Sequence, residues 1–326
     1  MVPQSEDRAW PHRHASRGLP TLALAGMATL LVAPAASAQP FGEWSPPVSI
    51  DPGRQLVNTP GNDGCPIEAP DGLTLFFAST RTDDPQIAPD LNIWVAYRAS
   101  EDVAWSEIER LPLPVNSGAN EFCPTPLPGN RLLFVSTRAN ECAGVTTNSA
   151  DIYFTRQHPV RGRLTPQSLC NVNSTREEFS PALVEADGVT MLYFSSNRLD
   201  PLLHKIYVSV LDEDGTWGMP SLVDELNQPG AYDARPNVRK DGLEIVFDSN
   251  RSGSADIFTS TRSSVTEPWS APRPVDAVNS GVTESRPSIS RDGTRLYFGS
   301  ARANGLGNVG TDIFVSMRSG PGKEQP

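Results

Sequence analysis

Histidine is scarce in this sequence. Of 326 residues only four are His, and two of those, His12 and His14, lie in a leading segment set apart below, which leaves His158 and His204. A Ser–His or Cys–His nucleophilic pair therefore has little material to work with. Gly-x-Ser-x-Gly, His-Glu-x-x-His and phosphate-loop motifs are all missing. The four cysteines include no Cys-x-x-Cys, which argues against a thiolate zinc centre. Long apolar runs are missing too: the stretch Leu19 to Val32 has 14 residues, where a membrane helix needs about 20. Basic charge is outweighed, with 27 Lys and Arg against 38 Asp and Glu for a net charge of −11. Such a surface repels phosphate backbones and anionic lipid, so no nucleic-acid partner is expected.

What the chain has in plenty is turn formers, 31 Pro and 25 Gly, against 38% apolar residues. That balance points to many short strands rather than helices. The first 38 residues stand outside the fold. Arg8, Arg13 and Arg17 precede the apolar stretch, which ends in Ala36-Ser37-Ala38. This is the pattern of a secretory signal with a small-residue cleavage site. The expected mature protein is Gln39–Pro326, periplasmic or secreted, with no membrane span after cleavage. It keeps 24 basic and 36 acidic residues, net −12.

Internal repetition organises the rest. Ser-x-Arg recurs at Ser79/Arg81, Ser136/Arg138, Ser196/Arg198, Ser249/Arg251 and Ser300/Arg302, the arginines spaced by 57, 60, 53 and 51 residues. Four positions before each Arg stands Phe77, Phe134, Phe194, Phe247 or Phe298. After each Arg comes a polar-Ile-aromatic triplet: Asn92-Ile93-Trp94, Asp151-Ile152-Tyr153, Lys205-Ile206-Tyr207, Asp256-Ile257-Phe258 and Asp312-Ile313-Phe314. Upstream of the Phe lies Asp-Gly in four copies and Pro128-Gly129-Asn130 in the second, a tight-turn signal. Each copy reads as four antiparallel strands, and such units at this period build a propeller with one repeat per blade. The expectation is an all-β, five-bladed β-propeller over 39–318, with repeats near 60–112, 113–170, 171–224, 225–276 and 277–318, and a tail at 319–326. The last copy lacks a fourth strand, and Trp44-Ser45 matches the fourth-strand signature Trp269-Ser270. Residues 41–50 are therefore expected to complete the last blade and close the ring, which removes an exposed edge.

The pattern Asn-Ser…Glu…Pro…Asp-Gly…Phe-x-Ser-x-Arg…Asp-Ile-Phe, clearest from Asn279 to Phe314, resembles the WD-like propeller repeat of TolB-type periplasmic proteins. The resemblance runs from about Trp44 to Arg318. It implies a periplasmic propeller with a cell-envelope protein partner. TolB-type proteins carry six such blades and a separate domain, whereas five copies are present here.

Candidate site residues come from a second column. Three positions before a Pro in each copy stands an acid: Asp63, Glu121, Glu178, Asp233 and Glu284. One reading sets five carboxylates around a mouth of the central channel, where like charges would raise pKa values or recruit a cation such as Ca²⁺. The other has each acid capping its own loop by accepting backbone N–H bonds, and the resemblance implies this, because a Glu here belongs to the repeat. Two positions on, the column varies as Cys65, Cys123, Ser180, Arg235 and Arg286, and the two arginines could clamp an anion. Phe122, Phe179 and Tyr232 flank the ring as a sugar-stacking mouth would need. The repeated Arg is expected to pair with the Asp that opens strand three, and Lys205 breaks that pair in copy three. Long loops at Thr82–Leu91, Ala139–Ala150 and Ala303–Thr311 fall on the same face. In an exported chain Cys65, Cys123, Cys142 and Cys170 point to disulfides, with Cys65–Cys123 and Cys142–Cys170 the preferred pairing of three.

These features lead to one expectation with one alternative. The first is an exported, monomeric binding module that recognises a carbohydrate or a protein partner at the acid-lined face, with no cofactor beyond a candidate Ca²⁺. The alternative is a glycoside hydrolase or lyase that uses the same acids. Hydrolysis with retention needs carboxyls about 5 Å apart, and inversion about 6.5–9.5 Å, across a pocket. Acids that point into their own loops would remove the basis of that alternative.

Overall fold

A computed structural model describes residues 41–82, 90–142, 149–158, 162–303 and 310–322. They form five antiparallel sheets around one axis, the arrangement of a five-bladed β-propeller. The blades follow the repeats. Blade one comprises Asp63–Glu68, Thr74–Ser79, Asn92–Tyr97 and Glu107–Arg110, from axis to rim. Blade two comprises Glu121–Leu127, Arg131–Ser136, Asp151–His158 and Gln167–Ser168, with Gly162–Arg163 folding back on the third strand. Blade three comprises Glu178–Ala186, Val189–Asp200, Leu203–Val210 and Ser221–Leu222. Blade four comprises Asp233–Val238, Glu244–Ser249, Asp256–Thr261 and Arg273–Pro274. Blade five comprises Glu284–Ile289, Arg295–Ser300 and Asp312–Met317, and its fourth strand is Val48–Ser49.

The tight turns are where the sequence puts them. In blade four Gly242 has φ +75°, a conformation open to glycine at no cost, and the Asp241 carboxylate accepts the Leu243 N–H at 3.0 Å. The strand that follows is wholly buried from Glu244 to Ser249, because its two faces meet two neighbouring blades.

Each seam between blades holds one apolar cluster. Leu75, Phe77 and Trp94 pack on Tyr297 and Ile313 across the seam that closes the ring. Ile93 meets Leu132, Phe134 and Tyr153, and Leu133 and Ile152 meet Phe194 and Tyr207. Tyr193 and Ile206 meet Phe247 and Phe258, while Val246 and Ile257 meet Phe298 and Phe314. The repeated Phe is fully buried in every blade, and each such side chain contributes roughly 1.5–3 kcal/mol.

Closure joins the two ends of the fold. Val48 and Ser49 pair with Val315 and Phe314. Gly42 N–H donates to the Ser319 carbonyl at 3.0 Å and Ser45 N–H to that of Met317 at 2.7 Å. Arg318 stacks on Phe41 and Trp44 and reaches back to Glu244 of blade four. Among the described residues no helix is long and apolar enough to cross a membrane. The expected signal segment, 1–38, lies outside the described residues, as do 323–326 of the expected tail.

Candidate functional site

Asp63, Glu121, Glu178, Asp233 and Glu284 open the inner strands, and all five are fully buried. Each turns into the loop that precedes its own strand. Glu121 Oε2 accepts the Ser117 N–H at 2.8 Å, and Oε1 accepts the hydroxyls of Ser117 (2.6 Å) and Ser136 (2.7 Å) and Arg138 Nη2 at 3.0 Å. Glu178 and Glu284 repeat that set with Ser174, Ser196 and Arg198, and with Ser280, Ser300 and Arg302. Asp63 takes Thr59 and Arg81. With its acceptor sites filled in this way, such a carboxylate has little capacity left for a ligand.

The repeated Arg thus pairs with the acid at the head of strand one. It does not pair with the Asp that opens strand three, which is what the sequence suggests. Ser136, two residues before Arg138, lies opposite Glu121 on one side and Asp151 on the other, and Arg138 turns to the strand-one side, where the Pro114 and Val115 carbonyls receive it together with Glu121. Copy four departs from the pattern in a coordinated way. Gln228 stands where other copies have a hydroxyl, and Lys205 Nζ of the preceding blade supplies the missing donor to Asp233 Oδ2 at 3.0 Å. A further column, Asn58, Asn116, Asn173, Asn227 and Asn279, staples the blades together: each bonds both the N–H and the C=O of the Ile in the preceding third strand.

Two positions beyond each acid the inner strand bulges, and its pairing register shifts there in all five blades. Cys65, Cys123, Ser180, Arg235 and Arg286 have φ between +44° and +56°, a strained region for any residue but glycine. The bulge re-aims their side chains, and it is these five, rather than the acids, that line the waist of the channel. The waist is a cavity of about 30 Å³, room for an ion or the end of a ligand but not for a ring. Beyond it the channel widens to about 150 Å³ between Glu68, Thr125, Glu185, Lys240 and Arg291.

The waist is not symmetric. On one side Cys65 and Cys123 form a disulfide that ties blade one to blade two. On the other, Arg235 Nη1 donates to Asp248 Oδ2 at 2.7 Å, and Asp248 Oδ1 accepts the backbone N–H of Arg286 at 2.9 Å. Asp248 is buried in the second strand of blade four, where the other copies have Ala78, Val135, Ser195 and Gly299. Burial pushes its carboxyl upward against the pull of Arg235, whereas Asp248 holds Arg235 above the ordinary range despite burial. Arg286 is lowered to about 10, by burial and then by the charge of Arg235.

Aromatic rings surround this pair. Arg235 stacks 5.5 Å from the Phe179 ring centre and 5.3 Å from that of Tyr232. His204 lies between those two rings, 4.5 Å from Phe179 and 5.6 Å from Tyr232, and bonds Glu177 at 3.1 Å. Burial lowers the His204 pKa, opposed by Glu177. The Tyr232 hydroxyl is buried with no partner in hydrogen-bond geometry among the described residues, and burial pushes it up to about 12. Phe122 joins Phe179, Tyr232 and the disulfide in one apolar collar. Asp248 and His204 carry this corner of the site, and the repeat pattern does not reveal either. The available signal was an acid between Phe247 and Ser249 in one copy only.

The second disulfide, Cys142–Cys170, also forms, so both preferred pairings are present. Most of the three long loops lies outside the described residues, at 83–89, 143–148 and 304–309. Among the described residues no group of three or more His, Cys, Asp or Glu is arranged to hold a metal ion.

The sequence matches no family model and no curated protein. The fold does have solved relatives. An α-L-arabinofuranosidase from Podospora anserina is similar at TM-score 0.56 and 12% identity, over 86% of this chain and 98% of that one. An endo-arabinase from Bacteroides thetaiotaomicron is similar at TM-score 0.52 and 16% identity, over 87% and 98%. TolB from Acinetobacter baumannii is similar at TM-score 0.47 and 16% identity, over 80% and 56%. At these identities the likeness concerns the fold alone.

Proposed function

We propose that this protein is an exported binding module that takes a carbohydrate at the bulge end of its channel, with a chemistry set by blades three to five. The observation that carries the reading is the departure from fivefold symmetry there. The half-buried rings of His204 and Tyr232, packed around the buried Phe179, supply aromatic surface, and Arg235 and Arg286 supply donors, in a fold whose repeat requires none of them. Aromatic faces next to planar donors suit a sugar, whose C–H face stacks and whose oxygens accept. Two disulfides and the leading apolar segment support export.

The hydrolase alternative loses its basis in the acid column, since those carboxylates are occupied by their own loops. Asp248, the carboxylate nearest the collar, is held by Arg235 and by the Arg286 N–H. The test is thermal unfolding against a panel of neutral and acidic oligosaccharides, with product analysis of each mixture. A ligand at a hundredfold its Kd adds about 2.7 kcal/mol to the folded state. The expected result is a raised midpoint for at least one glycan, halved or lost in His204→Ala, with no cleavage products. Cleavage of the glycan would establish the hydrolase instead, and a shift with envelope proteins alone would redirect the site to a protein partner.

A further inference from the structure

Arg286 is the odd cation of the inner ring. Each of the five repeat arginines has a carboxylate or a shared carboxylate hub in its own blade, and Arg235 has Asp248. The Arg286 guanidinium makes one side-chain bond, Nη1 to the Thr311 hydroxyl at 3.3 Å, and no ion pair among the described residues. Asp248 makes no bond to the guanidinium, since one oxygen is on Arg235 and the other on the Arg286 backbone N–H, and its charge offsets only part of what burial and Arg235 impose on Arg286. In a chain with a net charge of −11, an unpaired cation at the axis is not a consequence of composition. Arg286 is half-buried, and holding a charge there without a partner carries a desolvation cost that an arriving anion would offset.

The neighbouring residue makes room for it. Arg286 reaches across the closing seam onto Gly64 of blade one, where a β-carbon would lie 2.9 Å from Nη1. The equivalent positions in blades two and three hold Phe122 and Phe179. The waist that Arg286 lines, about 30 Å³, admits a carboxylate but not the ring that bears it. The rings of Phe122, His204 and Tyr232, each half-buried, border the same mouth, and Arg235 and Asp248 connect them to Arg286, so a sugar ring has aromatic surface to lie against.

We infer that Arg286 receives the carboxylate of an acidic sugar, so that the ligand is a uronate-bearing glycan. This rests on the carbohydrate reading above and narrows it. A guanidinium binds a carboxylate through parallel N–H donors, and Nη2 and Nε of Arg286 are uncommitted among the described residues. The depressed pKa of Arg286 has the same origin, since a bound anion would offset both burial and the charge of Arg235.

The test is calorimetric titration of the purified protein at pH 7 with trigalacturonate, neutral galactotriose and an acidic peptide. Arg286→Gln deletes the charge while keeping a β-carbon at the strained position. Gly64→Ala leaves the charge in place and displaces the guanidinium. Trigalacturonate is expected to bind, the neutral trisaccharide to bind at least tenfold more weakly, and both variants to lose about tenfold in uronate affinity. Unchanged melting of Gly64→Ala would keep the comparison valid even if Arg286→Gln folds poorly. Equal binding of the two trisaccharides, untouched by either variant, would overturn this inference and leave the carbohydrate reading standing. Binding of neither would overturn both. Binding of the peptide alone, lost in Arg286→Gln, would overturn the assignment to a sugar.

Discussion

Replacing Glu121 by Gln tests whether the acid column braces the loops or faces a ligand. In the wild type four donors converge on the carboxylate: the Ser117 N–H and hydroxyl, the Ser136 hydroxyl and Arg138 Nη2, all within 3.0 Å. An amide keeps one acceptor and turns the other oxygen into a donor. If its nitrogen takes the Oε2 place it meets the Ser117 N–H, and if it takes the Oε1 place it meets Arg138 and two hydroxyls. Either orientation sets donor against donor in a fully buried site. Breaking a buried ion pair costs about 3–5 kcal/mol. The Arg138 side chain keeps 18% exposure and its bonds to the Pro114 and Val115 carbonyls, which favours the lower end, about 3 kcal/mol. For a domain of this size that corresponds to a fall of roughly 5–10 °C in Tm, measured by differential scanning calorimetry on wild type and variant side by side. Asp233→Asn should fall further, because it strands both Arg251 and Lys205. A Tm within 1 °C of wild type, with glycan binding abolished, would refute the reasoning and make these carboxylates ligand groups.

Other perturbations have definite signs. Arg286→Gln removes an uncompensated charge, so in the absence of ligand its Tm should rise rather than fall, as read in the same calorimetry. Opening Cys65–Cys123, a loop of 58 residues, should cost up to about 4 kcal/mol, seen as a lower midpoint for Cys65→Ser/Cys123→Ser under oxidising conditions. Burial raises the Asp151 carboxyl to about 6, with the Glu178 charge adding to it. The folded state therefore holds this proton between pH 4 and 6 while the unfolded state has lost it, and stability falls as pH rises through that window. Asp151→Asn should flatten that slope and be the more stable form at pH 7 in urea titrations. Asp233 lies on the opposite side: hydrogen bonds from Ser249, Arg251, Gln228 and Lys205 outweigh burial and lower its pKa. Its contribution is present above pH 4 and lost on acidification, and Asp233→Asn should lose that acid-side dependence.

The blades were legible because each needs the same parts. The Phe, Arg, Asp-Gly and Ile-aromatic columns mark requirements that recur in every blade, and they locate strands, turns and the closing strand together. Side-chain direction at the axis was not legible. Alternation along a strand predicts which residues face inward only while the register holds, and the bulge at Cys65, Cys123, Ser180, Arg235 and Arg286 resets it. That is why the acids turn away from the channel while the residues two positions on turn toward it. The partner of the repeated Arg is not legible either: Ser249 and Ser300 each have an acid opposite on both sides, Asp233 and Glu284 on strand one and Asp256 and Asp312 on strand three, and the pattern does not show which way the Arg turns. Asp248 and His204 escape a search for repeats because each occurs once. Repetition reports what the fold needs, and the candidate site is written in its exceptions.

The way the ring is fastened also bears on how the protein is made. Val48 and Ser49 are synthesised before the inner strands of all five blades, and their partners Phe314 and Val315 only after them. No intermediate length of chain can complete the circle, so a growing polypeptide carries an unfinished seam on each flank until Phe314 and Val315 have been made. Stepwise accretion of blades would leave the outermost face of each new blade, such as that of Phe247 and Phe258, waiting for a neighbour. The circle therefore favours a chain that stays open until its fifth blade is complete and then closes as one unit.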